Sequence, residues 1–162
     1  RNAVGGRVVP CLAHARFTLQ IMRPFPLACQ AWGATEGGRA WCLVQVPEVH
    51  LGIGPDIPNP DIAGWRIERA PEVHLYPITA APDWICEVLS PSTETFDRGT
   101  KPPAFAGHGV QHAWLVDPET RRLEVYRRSS AAMREVARFE GDTVVRAEPF
   151  DSVELDLAEL WG

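Results

Sequence analysis

Apolar side chains occupy both parities of the extended stretch around residues 82–90. Trp84, Cys86 and Val88 fall on one side, and Ile85, Glu87 and Leu89 on the other. Such a run predicts a strand over 83–89 that is covered on both faces, as central strands are. Glu87 is the exception in it. An ionised carboxylate removed from water and left alone is costly, so this one needs a cation, a metal or a proton as partner.

The rest of the chain is punctuated by its 15 prolines. Residues 14–23 fit a helix loosely and Pro24 and Pro26 break it, with a second helical piece expected at 27–32. Residues 41–46 read as a strand and 52–59 as a turn-rich loop. After Pro60 a short strand is expected at 61–65, then a surface excursion over 67–80. Ser90 to Thr93 end the central strand and can cap a helix over 94–107, strained by Pro102 and Pro103. Strands at 112–116 and 122–127 form a hairpin about a turn at 117–120, and further strands are expected at 134–140 and 143–147. Residues 153–160 suit a strand or a short terminal helix. The pattern is a mixed sheet with few helices, one of them crossing over after the central strand. That is α/β or α+β, not a sandwich.

Composition narrows the class. A length of 162 residues suits one domain spanning 1–162. The chain opens at Arg1 and enters a strand-like segment at once (residues 7–9), so a natural N-terminal segment is expected to be missing from it. No apolar run approaches the roughly 20 residues of a bilayer span, and there is no secretory pattern. Net charge is −5 and the pI is near 5.5, which excludes a protein that coats nucleic acid by bulk charge. A local basic groove stays open, because Arg121, Arg122, Arg127 and Arg128 cluster around one hairpin; solvated surface arginines would look the same. Cys11, Cys29, Cys42 and Cys86 form no CxxC pair and have no zinc spacing, which suits a reducing, cytoplasmic compartment.

The residues with candidate chemistry are Asp61, Glu87 and Lys101. Asp61 opens one short strand and Glu87 lies on the next, and carboxylates on neighbouring strands can share one Mg²⁺. Such a metal polarises a phosphoryl oxygen and acidifies a bound water. Lys101, on the helix leaving the Glu87 strand, could reach back toward that water or toward phosphate charge. Plainer readings stand beside these. Asp61 could belong only to a turn, Lys101 could pair with Asp97 four residues earlier, and Glu87 could be held by a buried arginine. Asp83 is the poorer co-ligand and marks the strand entrance; Glu48 and Asp97 are second-tier candidates. The five histidines have no ligand spacing, and Ser90 lacks the context of a hydrolase nucleophile.

The segments Asn-Pro-Asp-Ile-Ala-Gly-Trp at 59–65 and Pro-Asp-Trp-Ile-Cys-Glu-Val-Leu-Ser-Pro-Ser-Thr at 82–93 come first. With Asp97, Lys101, Gly109-Val110 and Trp-Leu-Val-Asp-Pro at 114–118, they make an ordered set. That set resembles the Uma-two family of endonucleases, within the PD-(D/E)XK nuclease superfamily, over roughly residues 40–160. The resemblance implies a restriction-endonuclease-like core, a mixed central sheet flanked by helices. It implies Asp61 and Glu87 as ligands of Mg²⁺ or Mn²⁺, with the Val88 carbonyl also meeting the metal, and hydrolysis of DNA phosphodiesters by a metal-activated water. The usual lysine two residues after the glutamate is Leu89 here, and the family's lysine on the following helix corresponds to Lys101. Asn2 stands where a supporting glutamate is usual and Phe105 where a tyrosine is. The alternative is therefore an inactive nuclease-like scaffold that binds DNA or a protein partner. A homodimer would suit double-strand cleavage.

Overall fold

The computed structural model describes residues 41–45, 49, 60–72, 77–89 and 103–161. Six strands form one sheet in chain order: β1 (Trp41–Gln45), β2 (Ile62–Arg66), β3 (Trp84–Val88), β4 (His112–Asp117), β5 (Arg122–Ser129) and β6 (Ala132–Glu140). All neighbours are antiparallel except β3 and β4, which run parallel. A parallel pair needs a long crossover, and the helical turn at 103–107 belongs to it. A small pair, β7 (Val144–Val145) and β8 (Leu155–Asp156), leads into the terminal helix Leu157–Trp161.

Every residue of β3 is buried, as expected for a strand with apolar side chains on both parities. One face of the sheet carries Trp41, Leu43, Ile62, Trp84, Cys86, Trp114 and Val125, and packs on Phe150, Leu157, Leu160 and Trp161 from the C-terminal segment. Phe150 is the hub. Its ring lies 4.9 Å from Trp41, 4.9 Å from Trp84 and 5.5 Å from Trp114, the last two edge-on at 84° and 86°. Edge-to-face pairs of this kind contribute about 0.5–1.5 kcal/mol beyond their area burial. The Trp114 indole N–H donates to the Glu148 carbonyl at 2.6 Å, so the ring is buried without losing its polar partner. Gly64 makes this packing possible. A Cβ there would lie 2.7 Å from a Leu43 methyl and 3.0 Å from the Trp84 ring, closer than side chains tolerate.

The opposite face carries Ala63, Trp65, Ile85 and Ala113, covered by Val49, Ile78, Phe105 and Val110. Strand positions follow the hydrophobic pattern closely. The expected strands at 61–65 and 134–140 shift to 62–66 and 132–140, and that at 143–147 contracts to two residues. The C-terminal segment holds both a strand and a helix. The surface excursion expected over 67–80 needs correction at one residue. Ile78 is buried and bridges Val49, and the Trp65 indole donates to the Ala80 carbonyl at 3.0 Å. The helical expectations at 14–23 and 27–32 lie outside the described residues, as does most of that at 94–107.

Candidate active site

Pro60 leads into a bend at Asp61, and β2 begins one residue later. On β2 and β3 the last paired residues at this end are Ile62 and Cys86, so one further step along the same register puts Asp61 level with Glu87. Cross-strand residues at one level share a face. Asp61 Oδ2 accepts a hydrogen bond from the Val88 amide at 2.7 Å, which holds the carboxylate against the end of β3 beside Glu87. Glu87 is only 2% exposed. The two carboxylates register at Cys86, whose thiol is pushed up, first by burial and then by the charges of Asp61 and Glu87.

The sheet therefore brings together two residues separated by 26 positions in the sequence. The donor set is carboxylate oxygen. Cys86 points into the tryptophan face and so offers no thiolate to the pair. Among the described residues no group of three or more His, Cys, Asp or Glu could hold a metal. Two carboxylates with backbone, water and substrate oxygens suit a hard cation such as Mg²⁺, which is commonly held by one or two carboxylates and the substrate's own phosphate. Lys101, Glu48 and Asp97 lie outside the described residues.

Asp83 is no part of this pair. Its carboxylate accepts from the Arg66 amide at 2.8 Å and pairs with the Arg69 guanidinium. Its own amide donates to the Gly64 carbonyl at 2.8 Å, and its carbonyl accepts from Gln111 and His112. It ties β2, β3 and β4 together at the strand entrance, the role expected for it. Asp117, also buried, accepts from the Glu119 and Thr120 amides at 3.1 Å and forms the β4–β5 turn.

One buried carboxylate was missed. Glu124 on β5 is 1% exposed and lies in the row Glu87, Leu115, Glu124, Arg138 across four strands. The Tyr126 hydroxyl donates to it at 2.9 Å, and Arg122 and Arg138 approach it at 3.6 and 3.9 Å. Its charge is met by protein groups, as a buried carboxylate requires. The signal was the one that exposed Glu87, a carboxylate between apolar neighbours, here Leu123 and Val125.

His112 sits on the tryptophan face at the far end of the sheet, 3.6 Å from Glu148. Its pKa is lowered, chiefly by burial. Arg66 and Arg127 act in the same direction, and Glu148 and Asp151 oppose them.

The mixed six-stranded sheet and its covering segments make a restriction-endonuclease-like α+β fold. Residues 10–158 match the Uma2 family, described as putative restriction endonuclease, and the chain belongs to that family. Among solved structures it is similar to one described as a putative nuclease belonging to DUF820 from Anabaena variabilis. The TM-score is 0.65 and the identity 22%, covering 94% of this chain and 82% of that one. At that identity the likeness speaks for the fold. No curated protein matches the chain. Among the described residues no helix is long and apolar enough to cross a membrane.

Proposed function

We propose that the protein is a metal-dependent endonuclease that hydrolyses DNA phosphodiester bonds. The observation that carries this reading is the pairing of Asp61 with the end of β3, where its carboxylate accepts from Val88 at 2.7 Å beside the buried Glu87. Membership of the Uma2 family supports the same reading.

Asp61 and Glu87 would hold Mg²⁺ or Mn²⁺, with the Val88 carbonyl as a further oxygen ligand. When bound, the ion supplies an acidified water and neutralises charge on the scissile phosphate. The protein residues do the remainder. Asp61, tied to β3 through the Val88 amide, has little freedom to reorient, so its position is set before any ligand arrives. Burial of Glu87 keeps bulk water from one carboxylate of the pair and strengthens its interaction with a cation. Lys101 would orient the attacking water and stabilise charge on the phosphate.

Nicking of supercoiled plasmid with Mn²⁺ or Mg²⁺ tests the reading, comparing wild type with Glu87→Ala and adding a chelator. Cleavage by wild type that disappears in Glu87→Ala and on chelation is the expected result. Equal cleavage by Glu87→Ala would remove the site. Failure of the folded wild type to nick, with no stabilisation by either metal, would favour an inactive scaffold.

A further inference from the structure

The arginines of β5, β6 and their turns fall into two groups that differ in how their charge is met. Near the β4–β5 turn each has acidic partners. Arg121 pairs with Asp142 at 3.2 Å, Arg122 with Glu140 at 3.2 Å, and Arg138 with Glu135 at 2.8 Å. At the other end of the same strands the balance reverses. The segment from Arg127 to Arg134 reads Arg-Arg-Ser-Ser-Ala-Ala-Met-Arg and contains no acid. Arg127 and Arg134 face each other directly across the ladder, an arrangement that destabilises a sheet. Arg127 reaches Glu148 at 3.2 Å, but that pair is solvent-exposed and weak. Neither Arg128 nor Arg134 has a carboxylate partner among the described residues, and the Arg128 Nε is buried without an acceptor. Fold stability does not account for three arginines gathered in this way.

The shape of the hairpin supplies the second observation. Ser129, Ser130, Ala131 and Ala132 at its tip are all small and exposed, and this tip extends past β4, which pairs with β5 up to Arg127 while the Arg128 amide donates to the Gln111 carbonyl. By strand alternation Arg127 and Arg134 lie on one face of the sheet at the base of this tip and Arg128 on the other. The major groove of B-DNA, about 12 Å wide, admits a two-stranded tip of small residues. Arginines on both faces would then meet phosphates on either side of the groove.

We infer that the tip of the β5–β6 hairpin grips duplex DNA, with Arg127, Arg128 and Arg134 contacting backbone phosphates. This rests on the nuclease reading and adds where the duplex is held. Glu124 is level with Glu87 two strands away, and Arg128 lies four residues further along β5. Strand spacing and rise put Arg128 about 16 Å from Glu87, roughly half a turn of B-DNA. One duplex can therefore lie against the hairpin and still pass the carboxylate pair. The basic patch is local, on a chain whose net charge is −5.

The test is fluorescence anisotropy with a labelled duplex over a series of salt concentrations, in chelator so that binding is read without cleavage. The combined variant Arg127→Ala, Arg128→Ala, Arg134→Ala should lower the slope of log affinity against log salt by about 2 to 3, near 0.9 per phosphate contact. Its affinity should fall by roughly tenfold or more at low salt. Its melting temperature should not drop, since like charges are removed. The matching lysine variant should keep the wild-type slope. An unchanged slope in the alanine variant overturns the grip, and so does a wild type that binds no duplex at any salt. Plasmid nicking by the wild type is scored separately. Nicking with an unchanged slope removes the grip alone, whereas a slope lost in the variant without any nicking removes the nuclease reading and leaves the grip.

Discussion

The Val88 amide donates to Asp61 Oδ2 at 2.7 Å, linking a bend before β2 to the last residue of β3. This bond makes the position of one candidate metal ligand a property of the sheet. It also separates two roles of Asp61. Asp61→Asn keeps an acceptor and should unfold in urea within about 1 kcal/mol of wild type, whereas Asp61→Ala should lose about 1.5–3 kcal/mol. Both should lose stabilisation by Mn²⁺. Retention of the full Mn²⁺ effect by Asp61→Asn would remove Asp61 from the metal site.

Gly64→Ala should destabilise the protein by about 1–3 kcal/mol, the usual result of overfilling a packed core. The added methyl meets Leu43 at 2.7 Å and the Trp84 ring at 3.0 Å. Pairing Gly64→Ala with Leu43→Ala should recover part of the loss. Chemical denaturation of both variants decides it, and additive losses would mean that Leu43 is not the obstacle.

Phe150→Ala should cost about 3–5 kcal/mol, because the ring fills the space between three tryptophans. Phe150→Leu should cost less. Near-ultraviolet circular dichroism should change with both, since Trp84 and Trp114 lose an edge-on neighbour. A Phe150→Ala variant that unfolds at the wild-type denaturant concentration would show that the C-terminal segment contributes little to the core.

His112 links stability to pH. Its folded-state pKa is lowered from 6.5, first by burial. The unfolded chain therefore takes up the proton more readily, and stability falls as pH drops below about 6.5 toward the folded-state value. Above 6.5 this group contributes no pH dependence. Melting temperatures at neutral and mildly acidic pH should diverge less for His112→Gln than for wild type. An identical divergence would place the acid sensitivity elsewhere.

The central strand was legible because burial on both faces leaves a simple mark, apolar side chains at both parities of 84–89 with Glu87 among them. The flanking strands were legible from alternation, to within a few residues at their ends. Glu124 carried the same mark as Glu87 and escaped notice because the neighbouring arginines suggested a surface hairpin. Ile78 escaped because its backbone pairing among the described residues is an isolated bridge to Val49, which no local period announces. The Asp61–Val88 bond could not be read at all. It depends on the register between two strands, and register is fixed by which side chains fill the tryptophan face.

The Asp61–Glu87 pair and the tryptophan face are two readings of one ladder. A slip of β3 by a single residue would carry Glu87 into the aromatic side and bring Cys86 round to the carboxylate side. Trp84 would leave the slot that Gly64 opens for it, so the slipped chain would forfeit this packing along with its paired carboxylates. The tryptophans of the opposite face thus act as a proofreader for the carboxylates: a molecule that has passed their inspection carries Asp61 and Glu87 in register.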